Sequence, residues 1–150
     1  MVADCLVPVS VIREFRFVLP GACLSHPRPR ISRWGGVHMP KRYMEYKNSQ
    51  MGLLGKAYVE EPIECPVEVE LLFLFDRPRR LLRRKDPDGR LVRTGREDLD
   101  NLVKTVLDCL EDGGVLKNDR QVWSLVASQY YCARVPCESA CVEVLLRHEG

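Results

Sequence analysis

The sequence has no apolar run that approaches the ~20 residues needed to cross a bilayer as a helix. Its first ten residues, MVADCLVPVS, also lack the basic start and the continuous apolar stretch of a signal peptide. We therefore expect a cytoplasmic protein with no membrane partner. Hydrophobic residues at 45% and charged residues at 29% are ordinary globular values, and they argue against disorder.

Cysteine has neither an even count nor the spacing of a zinc site. The seven cysteines are scattered along the chain, and the stretch CARVPCESAC, with Cys132, Cys137 and Cys141, matches no standard zinc pattern and offers no fourth ligand nearby. We expect free thiols, several of them serving as small core residues.

Charge is abundant and unevenly placed, although the net charge is only +2. Residues 77–96 contain nine basic and two acidic residues, and residues 28–47 contain six basic residues and one acidic residue. Residues 59–70, by contrast, contain five glutamates and no basic residue. Segments with such local charge create a directional field that favours a polyanionic partner.

The 150 residues predict an α+β fold, in which residues 1–150 form a single compact domain with a small mixed sheet and two main helices. Residues 76–96, with Pro78, Pro87 and Gly89, predict a long basic loop. The remaining predicted elements are strands in 11–20, 66–75, 120–131 and 140–148, a hairpin or ordered loop at Gly35–Gly36, and helices over 41–58 and 101–111.

The second predicted helix lies in the stretch EDLDNLVKTVLDCLEDGGVLKNDRQV, residues 97–122. Six apolar residues fall at helical spacing and form one continuous stripe: Leu99, Leu102, Val103, Val106, Leu107 and Leu110. Gly113 and Gly114 supply the C-terminal stop.

Asp98 and Asp100 have two interpretations. On a helix they would lie ~200° apart and could not share a ligand. If both are extended and Asp100 caps a helix that starts at Asn101, the two carboxylates point the same way, beside the positive end of the helix. Aspartate is a routine N-cap, so a simple cap and a metal-binding pair both fit the pattern, and one residue can serve in both ways.

Asp119 can return to the same end of the helix. The helix carries the chain ~16 Å away, and the seven-residue connector that follows can span ~24 Å. Three carboxylates without histidine or cysteine are hard ligands that suit Mg²⁺, with Mn²⁺ as a substitute. Lys104, one turn into the helix, would add a fixed positive charge. With a basic loop directly upstream, this combination favours a metal-dependent nuclease.

The stretch DLDNLVKTVLDCLEDGGVLKNDRQV resembles the RusA family of Holliday-junction resolvases. That family has an acidic residue two positions before an Asp-Asn-Leu triplet, a lysine three to four residues later, a helix ending near glycine, and an Asp-containing turn before a Gln-Val strand. The stretch PRPRISRWGGVHMPKRYMEYK is similar to the Arg-Pro-Arg, Pro-Lys and Tyr pattern of phage-borne members.

The resemblance implies a homodimer of bacterial or prophage origin that cleaves a four-way DNA junction symmetrically. It also implies that Asp98, Asp100 and Asp119 are metal-binding catalytic aspartates, and that Lys104 is a catalytic lysine. Asn118 stands where some members have a further aspartate. The implied contacts to the DNA backbone are Arg28, Arg30, Lys41, Arg79, Arg80, Arg83, Arg84 and Lys85.

Two other functions are compatible with these residues. The first is a non-catalytic protein that binds branched or single-stranded DNA with the same basic surface, and Asn118 favours it. The second is a metal-dependent nuclease that acts on RNA or on flaps.

Overall fold

The structure, a computed structural model, describes residues 10–95 and 97–150. These residues form two α-helices, α1 (Lys41–Ala57) and α2 (Leu99–Asp112). They also form seven strands: β1 (Ile12–Pro20), β2 (Arg30–Ile31), β3 (Val37–His38), β4 (Val67–Phe75), β5 (Leu91–Val92), β6 (Val122–Tyr131) and β7 (Cys141–Glu149). The predicted α+β class with two main helices is confirmed.

The main sheet has five strands in the order β1-β7-β4-β6-β5. β4 and β6 run parallel, and the other neighbouring pairs are antiparallel, so the sheet is mixed as predicted. β2 and β3 form a separate hairpin around Gly35, whose φ of +81° suits glycine. Parallel pairing requires a crossover between β4 and β6, and α2 lies on that connection.

The core lies on one face of the sheet, because the strands alternate apolar and polar side chains. In β4, Val67, Val69, Leu71 and Phe73 are buried, whereas Glu68 and Glu70 are only partly covered on the opposite face. The apolar stripe of α2 packs on the same core. Six residues of the helix are buried: Leu102, Val103, Thr105, Val106, Cys109 and Leu110.

α2 ends just before Gly113 and Gly114, as predicted from the sequence. Gly113 is the C-cap, and Gly114 has a φ of +81°, a left-handed conformation that costs glycine nothing. A side chain at Gly113 would also meet the carbonyl oxygen of Cys109 at 2.6 Å. The turn therefore sends the chain back along α2 towards Asp119.

The described residues of the basic segment 76–96 are more ordered than the predicted loop. It contains a 3-10 helix at Arg79–Leu81, and β5 pairs with the end of β6. Arg77 Nε donates to the carbonyl oxygen of Cys132 at 2.8 Å, and Arg134 forms an ion pair with Asp88 at 3.0 Å. Part of the positive charge therefore fastens the segment to the rest of the fold.

None of the helices in the described residues is long and apolar enough to span a membrane. The six described cysteines are free thiols, and Cys5 lies outside the described residues. That residues 1–150 work as one endonuclease domain stays a prediction.

Candidate active site

The N-terminal end of α2 differs from the prediction by two residues. Asp98, not Asp100, is the N-cap: its backbone is extended (φ −71°, ψ 136°), and its carbonyl oxygen accepts from the backbone N–H of Asn101 at 3.1 Å. The helix begins at Leu99 and closes its first turn on the Asp98 carbonyl, which leaves Asp100 inside that turn. The expected arrangement, with both residues extended before a helix starting at Asn101, is wrong.

Both carboxylates nevertheless lie exposed at the positive end of α2. Neither forms an ion pair with any residue that the structure describes. Asp100 Oδ1 accepts from the backbone N–H of Asn101 at 3.0 Å, and the Asp98 side chain makes no capping bond within the described chain. Both carboxylates therefore keep lone pairs that can bind an external cation or a donor on a ligand.

Lys104 lies one turn beyond Asp100 on α2, between two carboxylates. Its Nζ donates to Asp108 Oδ1 at 2.8 Å and lies 3.8 Å from Asp119 Oδ2. The hydrogen bond to Asp108 is the main cause that raises the pKa of Lys104 above its ordinary value. The side chain is therefore a cation at neutral pH.

Asp119 lies next to α2 because it belongs to a short turn that is held by capping hydrogen bonds. It opens a 3-10 helix, Asp119–Gln121, whose N-cap is Asn118. Asn118 Oδ1 accepts from the backbone N–H of Arg120 at 2.9 Å, and Gln121 Oε1 accepts from the backbone N–H of Asn118 at 2.7 Å. Asn118 therefore stabilises the turn, and its side-chain oxygen already accepts one hydrogen bond.

A second contact joins this turn to α2. The backbone N–H of Asp119 donates to Glu111 Oε2 at 3.3 Å. Asp119 is therefore held beside the middle of α2, where its side chain meets Lys104.

The described residues contain no group of three or more His, Cys, Asp or Glu side chains close enough to hold a metal ion. The three predicted metal ligands therefore do not form a ready three-carboxylate cage. Mg²⁺ rarely needs one, since it usually binds through one or two carboxylates and fills its remaining positions with water and substrate phosphate. Exposed, all-oxygen donors are the chemistry that such an ion requires, and in that respect the residues fit it.

Two residues near Lys104 were missed by the sequence analysis. Asp108 contacts Lys104 through Oδ1, and its Oδ2 lies 3.3 Å from His26 Nε2. The spacing of Lys104 and Asp108, four residues apart on a helix, was a signal for the first contact. His26 is far away in sequence, and nothing in the local pattern indicated that it lies here.

Residues 21–29 run along α2 and carry His26 to this position. The backbone N–H of His26 donates to the carbonyl oxygen of Asn101 at 3.1 Å, and the Thr105 hydroxyl donates to that of Leu24 at 2.7 Å. The same segment leads to Arg28 and Arg30, both exposed and without ion pairs in the described chain. Lys41, at the start of α1, is exposed and lies 3.8 Å from Glu45.

The described basic residues of segment 76–96 divide into two groups. The first group serves the fold, and Arg93 is its clearest member, with its guanidinium 3.8 Å from the centre of the Phe75 ring and hydrogen bonds to Gln129 and Glu97. Four predicted DNA contacts are exposed and form no ion pair with a described residue: Arg79, Arg80, Arg84 and Lys85. The fifth, Arg83, is half exposed and pairs with Asp86 at 3.4 Å.

A family model described as endodeoxyribonuclease RusA matches residues 20–139 of the 150-residue chain. The chain belongs to the RusA family. The match spans most of the chain and includes α2, Lys104 and all three aspartates. Members of this family are endonucleases that resolve Holliday junctions. They act on branched DNA and generally depend on a divalent metal. No curated protein matches the chain.

Proposed function

We propose that this RusA-family protein is a Mg²⁺-dependent, structure-selective endodeoxyribonuclease that resolves Holliday junctions by paired phosphodiester hydrolysis in recombination and repair. The observation that carries the proposal is the family match over residues 20–139, which contains the whole α2 region. The exposed carboxylates of Asp98 and Asp100 and the contact between Lys104 and Asp119 give that match a chemical basis.

Asp98, Asp100 and Asp119 would hold Mg²⁺, or Mn²⁺ in its place. When bound, the ion supplies an activated water and neutralises negative charge on the phosphodiester. Three carboxylates beside a phosphate repel it in the absence of a cation, so these side chains weaken DNA binding when no ion is present.

Lys104 contributes a positive charge that does not depend on a metal. It extends from the first turns of α2, whose N-terminal end carries additional partial positive charge. A cation placed there before reaction stabilises the oxygen on which negative charge develops. The ammonium lies 3.8 Å from Asp119 Oδ2, beside one of the carboxylates proposed to bind the metal.

The basic residues would bind the DNA backbone. Arg79, Arg80, Arg84 and Lys85 have guanidinium or ammonium groups free of ion pairs among the described residues, as phosphate contacts require. Arg28, Arg30, Lys41 and Arg83 would extend this surface.

A homodimer would allow two nicks related by a two-fold axis, and the chain has a face that a second copy could cover. Both helices pack on one face of the sheet. The opposite face exposes Val18 and Val126 and carries Leu72 and Leu145 between charged side chains of both signs. We propose that residues 1–150 act as one domain within such a dimer, in a bacterium or prophage.

Replacement of Asp100 by Asn tests the catalytic part of the proposal. Purified wild-type protein should cleave a synthetic four-way junction when Mg²⁺ is added, whereas Asp100→Asn should bind the junction equally or more tightly without cleaving it. The affinity survives because removal of a carboxylate reduces repulsion of phosphate. Asp112→Asn removes the same charge from the far end of α2 and should cleave like wild type. Equal cleavage by Asp100→Asn and wild type would refute the role of Asp100.

The alternative is a protein that binds branched or single-stranded DNA without cleaving it. Two observations favour it: the described residues contain no three-carboxylate metal group, and Asn118, which replaces an aspartate of some members, serves as a cap. Both functions predict salt-dependent binding, so only metal-dependent cleavage separates them. A panel of flap and RNA substrates would reveal a nuclease of different substrate preference.

A further inference from the structure

Asp108 joins two cationic or protonatable side chains through its two carboxylate oxygens. Oδ1 accepts a hydrogen bond from Lys104 Nζ at 2.8 Å, and Oδ2 lies 3.3 Å from His26 Nε2. The Asp108 side chain is 18% exposed, against 48% for Lys104. The carboxylate is thus the fixed partner, and the lysine is the side chain that it restrains.

We infer that Asp108 is a positioning residue that holds the Lys104 ammonium beside Asp119, with His26 anchoring Asp108 from the other side. This inference rests on the proposed function for the use of Lys104. It concerns a residue that lies outside the set of three aspartates and one lysine.

Lys104 needs such a restraint because a lysine side chain has high rotamer entropy on a flexible four-carbon stem. Its contact with Asp119 is long, at 3.8 Å, and does not fix the ammonium alone. The contact with Asp108 has the length of a strong charge-assisted hydrogen bond. It lies within one helix, four residues apart, so the ammonium position follows from α2 itself.

His26 is itself held by two elements. Its ring packs edge-on against Tyr43 of α1, with 5.5 Å between ring centroids, and its backbone N–H donates to the Asn101 carbonyl oxygen. Asn101 belongs to the Asp-Asn-Leu triplet of the family. The contacts from His26 to Asp108 and from Asp108 to Lys104 thus connect the segment 21–29 to the proposed reaction site.

Asp108→Asn tests this role, with Asp112→Asn as the matched control. Asp112 lies one turn further on α2 and forms its ion pair with Lys47, so its replacement removes the same charge without touching Lys104. We expect Asp108→Asn to lower kcat for junction cleavage by roughly tenfold to a hundredfold, as loss of a supporting partner does. Junction affinity, melting temperature and the Mn²⁺ concentration for half-maximal cleavage should stay at wild-type values.

Lys104 mobility provides a readout that does not depend on cleavage. In the free protein, ¹³C relaxation at the lysine Cε positions should give a lower order parameter for Lys104 in Asp108→Asn than in wild type or Asp112→Asn. The Cε signal that disappears in the Lys104→Arg variant is assigned to Lys104. Unchanged Lys104 mobility would overturn the inference, and so would a shift in Mn²⁺ half-saturation at an unchanged maximal rate, which would make Asp108 a metal ligand.

These outcomes are separable from failure of the proposed function. If wild-type protein binds the junction but never cleaves it, the proposed function fails. The relaxation measurement then still decides whether Asp108 holds Lys104.

Discussion

Thr105 is a buried polar residue that joins segment 21–29 to α2. Its side chain is fully buried, and its hydroxyl donates to the Leu24 carbonyl oxygen at 2.7 Å. Thr105→Val keeps the shape and leaves that carbonyl with only the weak Cys23 thiol donor at 3.6 Å, which costs about 1–3 kcal/mol. We expect urea denaturation to show a loss of that size in the free energy of unfolding.

The control for this variant is Thr94→Val, at an exposed position, which should change the free energy of unfolding by less than about 0.5 kcal/mol. Equal stability of the Thr105→Val and Thr94→Val variants would contradict the assigned hydrogen bond.

The Cys109 thiol makes the free energy of unfolding depend on pH in the alkaline range. Burial raises the pKa of its thiol from 9.0 to about 12 in the folded chain. Between those values the folded state keeps a proton that the unfolded state has lost, so the free energy of unfolding falls as pH rises through this window. Below pH 9 the contribution is fully present.

Cys109→Ala should therefore flatten the decline in the free energy of unfolding between pH 9 and pH 12, measured by denaturation at each pH. The variant is less stable at neutral pH because it leaves a cavity, and only the slope tests the thiol. Cys137→Ala, at an exposed position, should keep the wild-type slope. A Cys109→Ala slope as steep as that of wild type would show that the thiol does not contribute.

At the scale of single residues, the sequence predicted chemistry better than conformation. The aspartates and lysine of the Asp-Leu-Asp-Asn stretch were identifiable because their types and spacing are local. The exact N-cap was not, since Asp98 and Asp100 are both good caps and only the closure of the first turn on the Asp98 carbonyl decides between them. The position of His26 could not be predicted because its partner, Asp108, is distant in sequence.

The Arg93 side chain fastens the residues before α2 to the main sheet. Arg93 stacks on Phe75 and binds both Gln129 and Glu97, and its side chain is only 11% exposed. Lysine cannot reproduce a planar guanidinium that stacks and binds two partners together. We expect Arg93→Lys to accelerate amide hydrogen exchange at residues 94–98 by roughly threefold or more, the equivalent of a lost cation–π contact.

Arg90→Lys is the matched control for that segment. Arg90 forms its ion pair with Glu138, away from the entry to α2, and its replacement should leave exchange at residues 94–98 unchanged. Exchange mass spectrometry that finds equal rates in both variants would show that Arg93 does not order the segment.

The regular elements were predictable because their patterns are strong. The alternation in β4 and the unbroken apolar stripe of α2 each specify one face for burial, and both elements formed in the predicted stretches, although α2 begins two residues earlier than predicted. The order within segment 76–96 was not predictable. β5 has only two residues, and the 3-10 helix has three, so their formation depends on distant partners such as β6 and Cys132.

Across the whole molecule, the basic residues that remain exposed define where DNA should bind. Arg84 and Lys85 project from segment 76–96 and form no ion pair with a described residue. Their joint replacement by alanine should weaken junction binding and reduce the slope of log affinity against log salt by about 0.9 per side chain. Fluorescence anisotropy over a series of salt concentrations measures both effects.

The control for this surface is joint replacement of Lys56 and Lys117 by alanine, which removes the same charge from elsewhere on the surface. Both lysines are exposed, and Lys117 pairs with Glu64. Their loss should leave the salt slope close to that of wild type. Equal slopes for the two double variants would mean that net charge alone, and not segment 76–96, determines binding.

Cleavage of a four-way junction with two differently labelled opposing strands tests whether this RusA-family protein resolves junctions. With Mg²⁺, we predict that wild-type protein cuts both labelled strands at symmetric positions and leaves two nicked duplexes, while linear duplex of the same sequence stays intact. With EDTA in place of Mg²⁺, the junction should be bound and uncut. Binding without cleavage in Mg²⁺, or equal cleavage of junction and linear duplex, would contradict the account.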